Sequence, residues 1–84
     1  MTSNVVLGKY QHYKGKFYEV LGIALDTETR EKMVLYKCLY PVNDLPEEYG
    51  PDPIFVRPYD NFIEEVKVDG QKVPRFKFVE EIKK

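Results

Sequence analysis

The side chains able to do chemistry fall in three short stretches. Tyr10, His12, Tyr13 and Lys14 lie together near the start. Tyr36 and Tyr40 flank the single cysteine, Cys38. Arg57 and Arg75 each stand beside a proline, in Arg57-Pro58 and Pro74-Arg75. His12 is the only histidine and Ser3 the only serine. An imidazole works as a general acid or base only next to a nucleophile or carboxylate, and none stands near it in sequence. A lone histidine with no Cys, Asp or Glu at ligand spacing builds no metal centre. The chain also lacks a phosphate loop, a glycine fingerprint, paired catalytic carboxylates and a nucleophile elbow. These residues predict a protein that is not an enzyme and uses no metal and no cofactor.

What they can do is bind. Amphipathic rings around a shallow groove are how small β domains hold extended peptides, often proline-rich ones. Arginine adds a planar fork that grips a carboxylate or phosphate with two hydrogen bonds. The candidate binding set is therefore Tyr10, His12, Tyr13, Lys14, Tyr36, Tyr40, Arg57 and Arg75, and the expected partner is a protein or peptide segment. A plainer reading stands beside it. The chain has seven Tyr and five Phe, and so short a chain needs such rings for its core, with hydroxyls at the rim. His12 would then be structural, and the arginines would brace acids such as Asp60, Glu64 or Glu65. A third reading is single-stranded nucleic acid held by Lys9, Lys14, Lys16 and the tyrosines. The formal net charge of −1 counts against it. Small-molecule binding or catalysis comes last.

Eighty-four residues predict a single domain, 1–84, with a barrel over 5–79 and loose ends at 1–4 and 80–84. One cysteine excludes an intramolecular disulfide, and Cys38 reads as a small core residue. No basic stretch followed by an apolar run comes after Met1, and no run approaches the roughly 18 apolar residues of a membrane span. A cytoplasmic protein with no membrane partner, monomeric or weakly self-associating, is the expectation. Charge is uneven along the chain. Positions 9–16 hold three lysines and no acid, whereas 44–52 hold Asp44, Glu47, Glu48 and Asp52 and no base.

The elements that must position these residues are short strands. Val5–Tyr13 reads as an extended first strand, ended by the turn signal Lys14-Gly15. Phe17–Leu25 is rich in branched and aromatic residues, and Gly22 within it predicts a bulge or a close backbone approach. Met33–Tyr40 is apolar on both faces. The stretch 41–53, with Pro41, Pro46, Pro51, Pro53 and four acids, predicts a long loop with no regular element. Ile54–Arg57 is a strand closed by Pro58. One helical turn is expected near 59–65, capped by Asp60 or Asn61, with Glu64 completing a capping box on Asn61 and Phe62 sharing a face with Val66. Val66–Val68 and Val73–Val79 form a hairpin through Asp69-Gly70, a turn that needs positive φ at both positions. Five to six short strands with one helical turn predict a mainly β fold, a small SH3-like barrel, with an OB-like barrel as the alternative.

The ordered set Gly8-Lys9-Tyr10-Gln11-His12-Tyr13-Lys14-Gly15, then Val56-Arg57-Pro58 with Phe62, then Val73-Pro74-Arg75-Phe76, resembles a family of small bacterial proteins known as domain of unknown function number 1653. The resemblance runs from Gly8 to Phe78. It implies an SH3-like barrel and brings no activity with it. The family carries Gly after the Thr of the first hairpin turn, where this chain has Thr29-Arg30, so a different turn is expected here. It also carries Trp before the Val of V-R-P, where this chain has Phe55 after a longer proline-rich loop.

Overall fold

A computed structural model describes residues 5–82. The chain is mainly β. Seven strands run β1 (Gly8–His12), β2 (Phe17–Leu25), β3 (Lys32–Cys38), β4 (Ile54–Pro58), β5 (Glu65–Val68), β6 (Gln71–Pro74) and β7 (Phe76–Glu80), with one short helix, α1 (Tyr59–Phe62). Five strands form an antiparallel sheet in the order β4-β3-β2-β1-β7, and β5-β6 form a separate hairpin.

The sheet does not close, which corrects the expectation of a closed SH3-like or OB-like barrel. After β4 the chain turns into α1 and then into its own hairpin, so no strand bridges β4 to β7. The expected strand over 73–79 is likewise two strands. Pro74 has no amide to continue a ladder. Arg75 uses its backbone elsewhere, donating to the Glu64 carbonyl at 3.0 Å and accepting from the Tyr13 amide at 3.0 Å. β6 therefore serves the small hairpin and β7 pairs with β1.

Three further local expectations are corrected. The 41–53 stretch does hold a regular element, a 3-10 turn at Glu47–Tyr49, because Pro46 and Pro51 bracket just enough chain for one turn. α1 begins directly after Pro58 with no side-chain cap. Asn61 thus sits inside the turn and its side-chain Oδ1 accepts from Arg57 instead, at 2.7 Å, while Val66 belongs to β5. Arg30 itself takes the left-handed conformation that favours Gly, with φ 65°. Asp26 holds that turn by accepting from the amides of Glu28 (2.9 Å) and Thr29 (3.2 Å), which offsets a backbone penalty of about 1–2 kcal/mol.

Two strands are shorter than expected, β1 starting only at Gly8 and β3 ending at Cys38, and Cys38 is half-buried at that end and not part of the core. The remaining turn signals agree with the structure. Asp69 and Gly70 both have positive φ, 51° and 81°. The β2–β3 register shifts between Val20 and Gly22, a bulge at the expected place. Glu80 extends β7 by pairing with Lys9, where a loose end was expected, while 1–4 and 83–84 lie outside the described residues. Among the described residues no helix is long and apolar enough to cross a membrane.

Side chains directly opposite in an antiparallel ladder share a face. Register then assigns one face to Tyr10, Tyr18 and Cys38 in one row and to Val20, Tyr36 and Phe55 in the next, with Val34 and Arg57 beyond. His12 and Phe76 extend the same face on β1 and β7. α1 lies on this face and buries Tyr59 and Phe62 against it. The core is Tyr10, Val20, Val34, Tyr36, Tyr59, Phe62 and Phe76.

Candidate functional site

α1 covers only part of the inner face. Four residues make one helical turn of about 6 Å, too short to roof five strands. Beneath it Phe62 stacks on Phe76, with centroids 4.2 Å apart and planes 6° from parallel. Beyond it the rings of His12, Tyr18, Tyr40 and Phe55 are only half-buried. They form a continuous path. His12 meets Tyr18 at 6.2 Å, Tyr18 meets Tyr40 at 5.6 Å and Tyr36 at 5.5 Å, and Tyr36 meets Phe55 at 5.8 Å. Most of these contacts are edge-to-face, the arrangement ring quadrupoles favour. A hollow of about 490 Å³, lined by Cys38, Tyr40, Val42, Asp44 and Phe55 among others, borders one end. Another of about 410 Å³ lies where His12 and Tyr13 face Val68, Val73 and Pro74.

Seven of the eight sequence candidates sit at or along this path. His12 is half-buried, 4.5 Å from the exposed ring of Tyr13 and 4.9 Å from Phe76. Lys14 is exposed and places its ammonium 5.9 Å from the Tyr13 ring. Tyr36 forms the floor and is itself buried. Tyr40 pairs hydroxyl to hydroxyl with Tyr18 at 3.1 Å. Hydrogen bonds with Cys38 and Tyr18, together with burial, push the Tyr40 hydroxyl well above the usual tyrosine pKa, so it stays neutral. Tyr10 stands apart. α1 covers its ring, 5.4 Å from Phe62, and its hydroxyl donates to the Val6 carbonyl at 2.7 Å. Tyr10 and Tyr36 thus follow the plainer reading of core rings with partnered hydroxyls.

The two arginines divide. Arg75 is a brace, paired with the Glu64 carboxylate at 2.8 Å. Its buried Nε has no hydrogen-bond partner among the described residues. Arg57 lies with its guanidinium carbon 5.2 Å from the Phe76 ring centroid. It donates through Nη1 to Asn61 at 2.7 Å and makes a long 3.4 Å contact from Nε to the Tyr36 hydroxyl. Among the described residues it has no acidic partner.

Sequence reasoning missed Tyr18, Phe55 and Phe76, and named Lys16 only in the nucleic-acid reading. Tyr18 was within reach, because β2 alternates so that Tyr18 and Val20 share a face. Lys16 sets its ammonium 4.6 Å over the Tyr40 ring. Lys9 points away, over Phe17 at 4.5 Å on the opposite face, and so drops out of any basic surface built on Lys14 and Lys16.

The electrostatics of the path are positive around His12. Burial lowers the His12 pKa below the ordinary 6.5, and Arg57, Lys14 and Arg75 lower it further. The Lys14 amide donates to Nδ1 at 3.1 Å, which leaves the proton of the neutral ring on Nε2. The unfolded chain binds more protons than the folded one between the folded value and 6.5. Stability from this group is therefore complete above pH 6.5 and falls as pH drops through 6.5 toward the folded value. An NMR titration of the imidazole protons should show an inflection below 6.5, and one at or above 6.5 would refute the assignment. His12 has aromatic, amide and cationic neighbours, and no group of three or more His, Cys, Asp or Glu among the described residues could hold a metal ion.

Comparison with known proteins adds kinship without activity. No curated protein matches the chain. A crystal structure of a DUF1653 protein from Bordetella bronchiseptica is similar over 96% of this chain and 95% of that one, at 32% identity and a TM-score of 0.79. A family model described as "Protein of unknown function (DUF1653)" matches residues 8–78. With most of its length matched, the open β sheet and its half-covered aromatic face belong to a member of the DUF1653 family.

Proposed function

We propose that this protein is a non-catalytic binding module that receives an extended segment of a protein partner on the aromatic path. The observation that carries the reading is the half-buried run His12–Tyr18–Tyr40 with Phe55, left beyond the reach of α1 and bordered by hollows at both ends. Rings held by one another present a flat apolar surface with little side-chain entropy left to lose on binding. The ring steps of 6.2 and 5.6 Å are covered by about three to four extended residues. A single free Cys38 suits the reducing cytoplasm for such a module.

Chemical-shift mapping with proline- and aromatic-containing peptides tests the reading. Shifts should concentrate at His12, Tyr18, Tyr40 and Phe55. Shifts confined to the opposite face, at Lys9, Phe17 and Val56, would overturn it.

A further inference from the structure

We infer that the segment bound on the aromatic path is an acidic peptide, with one Asp or Glu carboxylate docked on the Arg57 fork beside His12. The inference rests on the peptide-binding reading above and adds the chemistry of the ligand. A guanidinium has five N–H donors. Arg57 directs one at Asn61 and one at the Tyr36 hydroxyl, so three remain for a ligand. These two contacts and the Phe76 ring beneath also fix the orientation of the fork. A half-buried, oriented cation with no acid beside it among the described residues is complementary to a carboxylate, which it can grip with two hydrogen bonds. The surroundings carry the same sign. Lys14, Arg75 and Arg57 all bear on His12, whose Nε2–H is a donor, and Lys16 stands over Tyr40.

A polyanion fits less well than a single carboxylate. The Tyr40 end of the path opens into the hollow lined by Asp44, at the start of the stretch whose four acids have no base among them. Successive phosphates running from Arg57 past Tyr40 would meet that charge. A peptide bearing one acid at the Arg57 end and proline or an aromatic toward Tyr18 and Tyr40 would not.

A random decapeptide library displayed on phage and selected on the full chain supplies the probes. Enriched peptides should share an Asp or Glu next to Pro or an aromatic residue. Resynthesis with Asp→Asn or Glu→Gln should weaken binding about tenfold or more. The Arg57 Nε–H resonance should shift on titration with the acidic form alone. Arg57→Lys, which keeps the charge and loses the fork, should reduce the acid-to-amide discrimination to about threefold or less. Should Arg57→Lys prove misfolded, the Asp→Asn comparison on the wild-type chain still decides. Peptides that bind the aromatic path equally well in acid and amide forms would overturn this inference and leave the binding module standing. If nothing is enriched and an oligo-dT strand binds with a steep salt dependence, both are overturned in favour of nucleic acid. If neither binds, both fall.

Discussion

Phe62→Ala should lower stability by about 3–5 kcal/mol, the range for truncating a buried aromatic whose cavity cannot collapse. Phe62 is 1% exposed. Its ring touches Phe76 face to face at 4.2 Å and Tyr10 edge-on at 5.4 Å. Both of those residues are themselves pinned by strand pairing between β1 and β7, so neither can move in to fill the gap. A domain of this size commonly has on the order of 5–10 kcal/mol in total, and the variant should therefore lose about a third or more of its stability. Urea unfolding followed by far-UV circular dichroism measures the loss. Phe62→Leu, which keeps most of the volume, should cost about 1–2 kcal/mol. Equal losses for the two variants would mean that the ring stack is not what α1 contributes.

Gly8→Ala should be the next most damaging single change, at about 2–4 kcal/mol. Two separate causes add. Gly8 has φ 144°, a region that side chains rarely enter. A methyl group built there would stand 2.6 Å from the Glu80 carbonyl oxygen and 3.1 Å from the Phe78 ring. The oxygen is backbone and belongs to the paired strand, so relief requires β7 to shift away from β1. Hydrogen exchange should show the loss locally, with the amides of Lys9 to His12 and Phe76 to Glu80 losing protection before those of β2 and β3. Uniform loss across the sheet would contradict a local clash. Gly22→Ala is the control, since a methyl there meets nothing within 4 Å.

Much of the framework was legible because it is local. β2, β3 and β4 appear where branched and aromatic residues cluster, the bulge falls at Gly22, and the hairpin turns at Asp69-Gly70. What was not legible depends on partners far away in sequence. The break at Arg75 is set by Glu64 and Tyr13, which claim its backbone. The failure of the sheet to close follows from where the chain goes after Pro58, and no residue pattern announces it. The site shows the same division. Alternation correctly put Tyr10 and His12 on one face, but Tyr36 lies on β3, two strands from β1, and Tyr40 falls beyond the end of β3. Alternation gave no sign that a helix of one turn would roof Tyr10 and leave His12 at the margin. Arg57 and Arg75 looked alike beside their prolines. Only the fold shows that Glu64 answers one of them and that an amide, Asn61, answers the other.

An open sheet has two unpaired borders, β4 and β7. β4 exposes Ile54 and Val56, each 58% accessible, which makes it the more adhesive of the two for a stray chain. Its length answers that hazard. Pro53 precedes it and Pro58 ends it, so a foreign strand laid alongside finds a ladder of at most five residues, with a missing donor at its far end. A register that short gives an incoming strand few hydrogen bonds, and the two prolines thereby blunt the exposed border of a sheet that never seals itself.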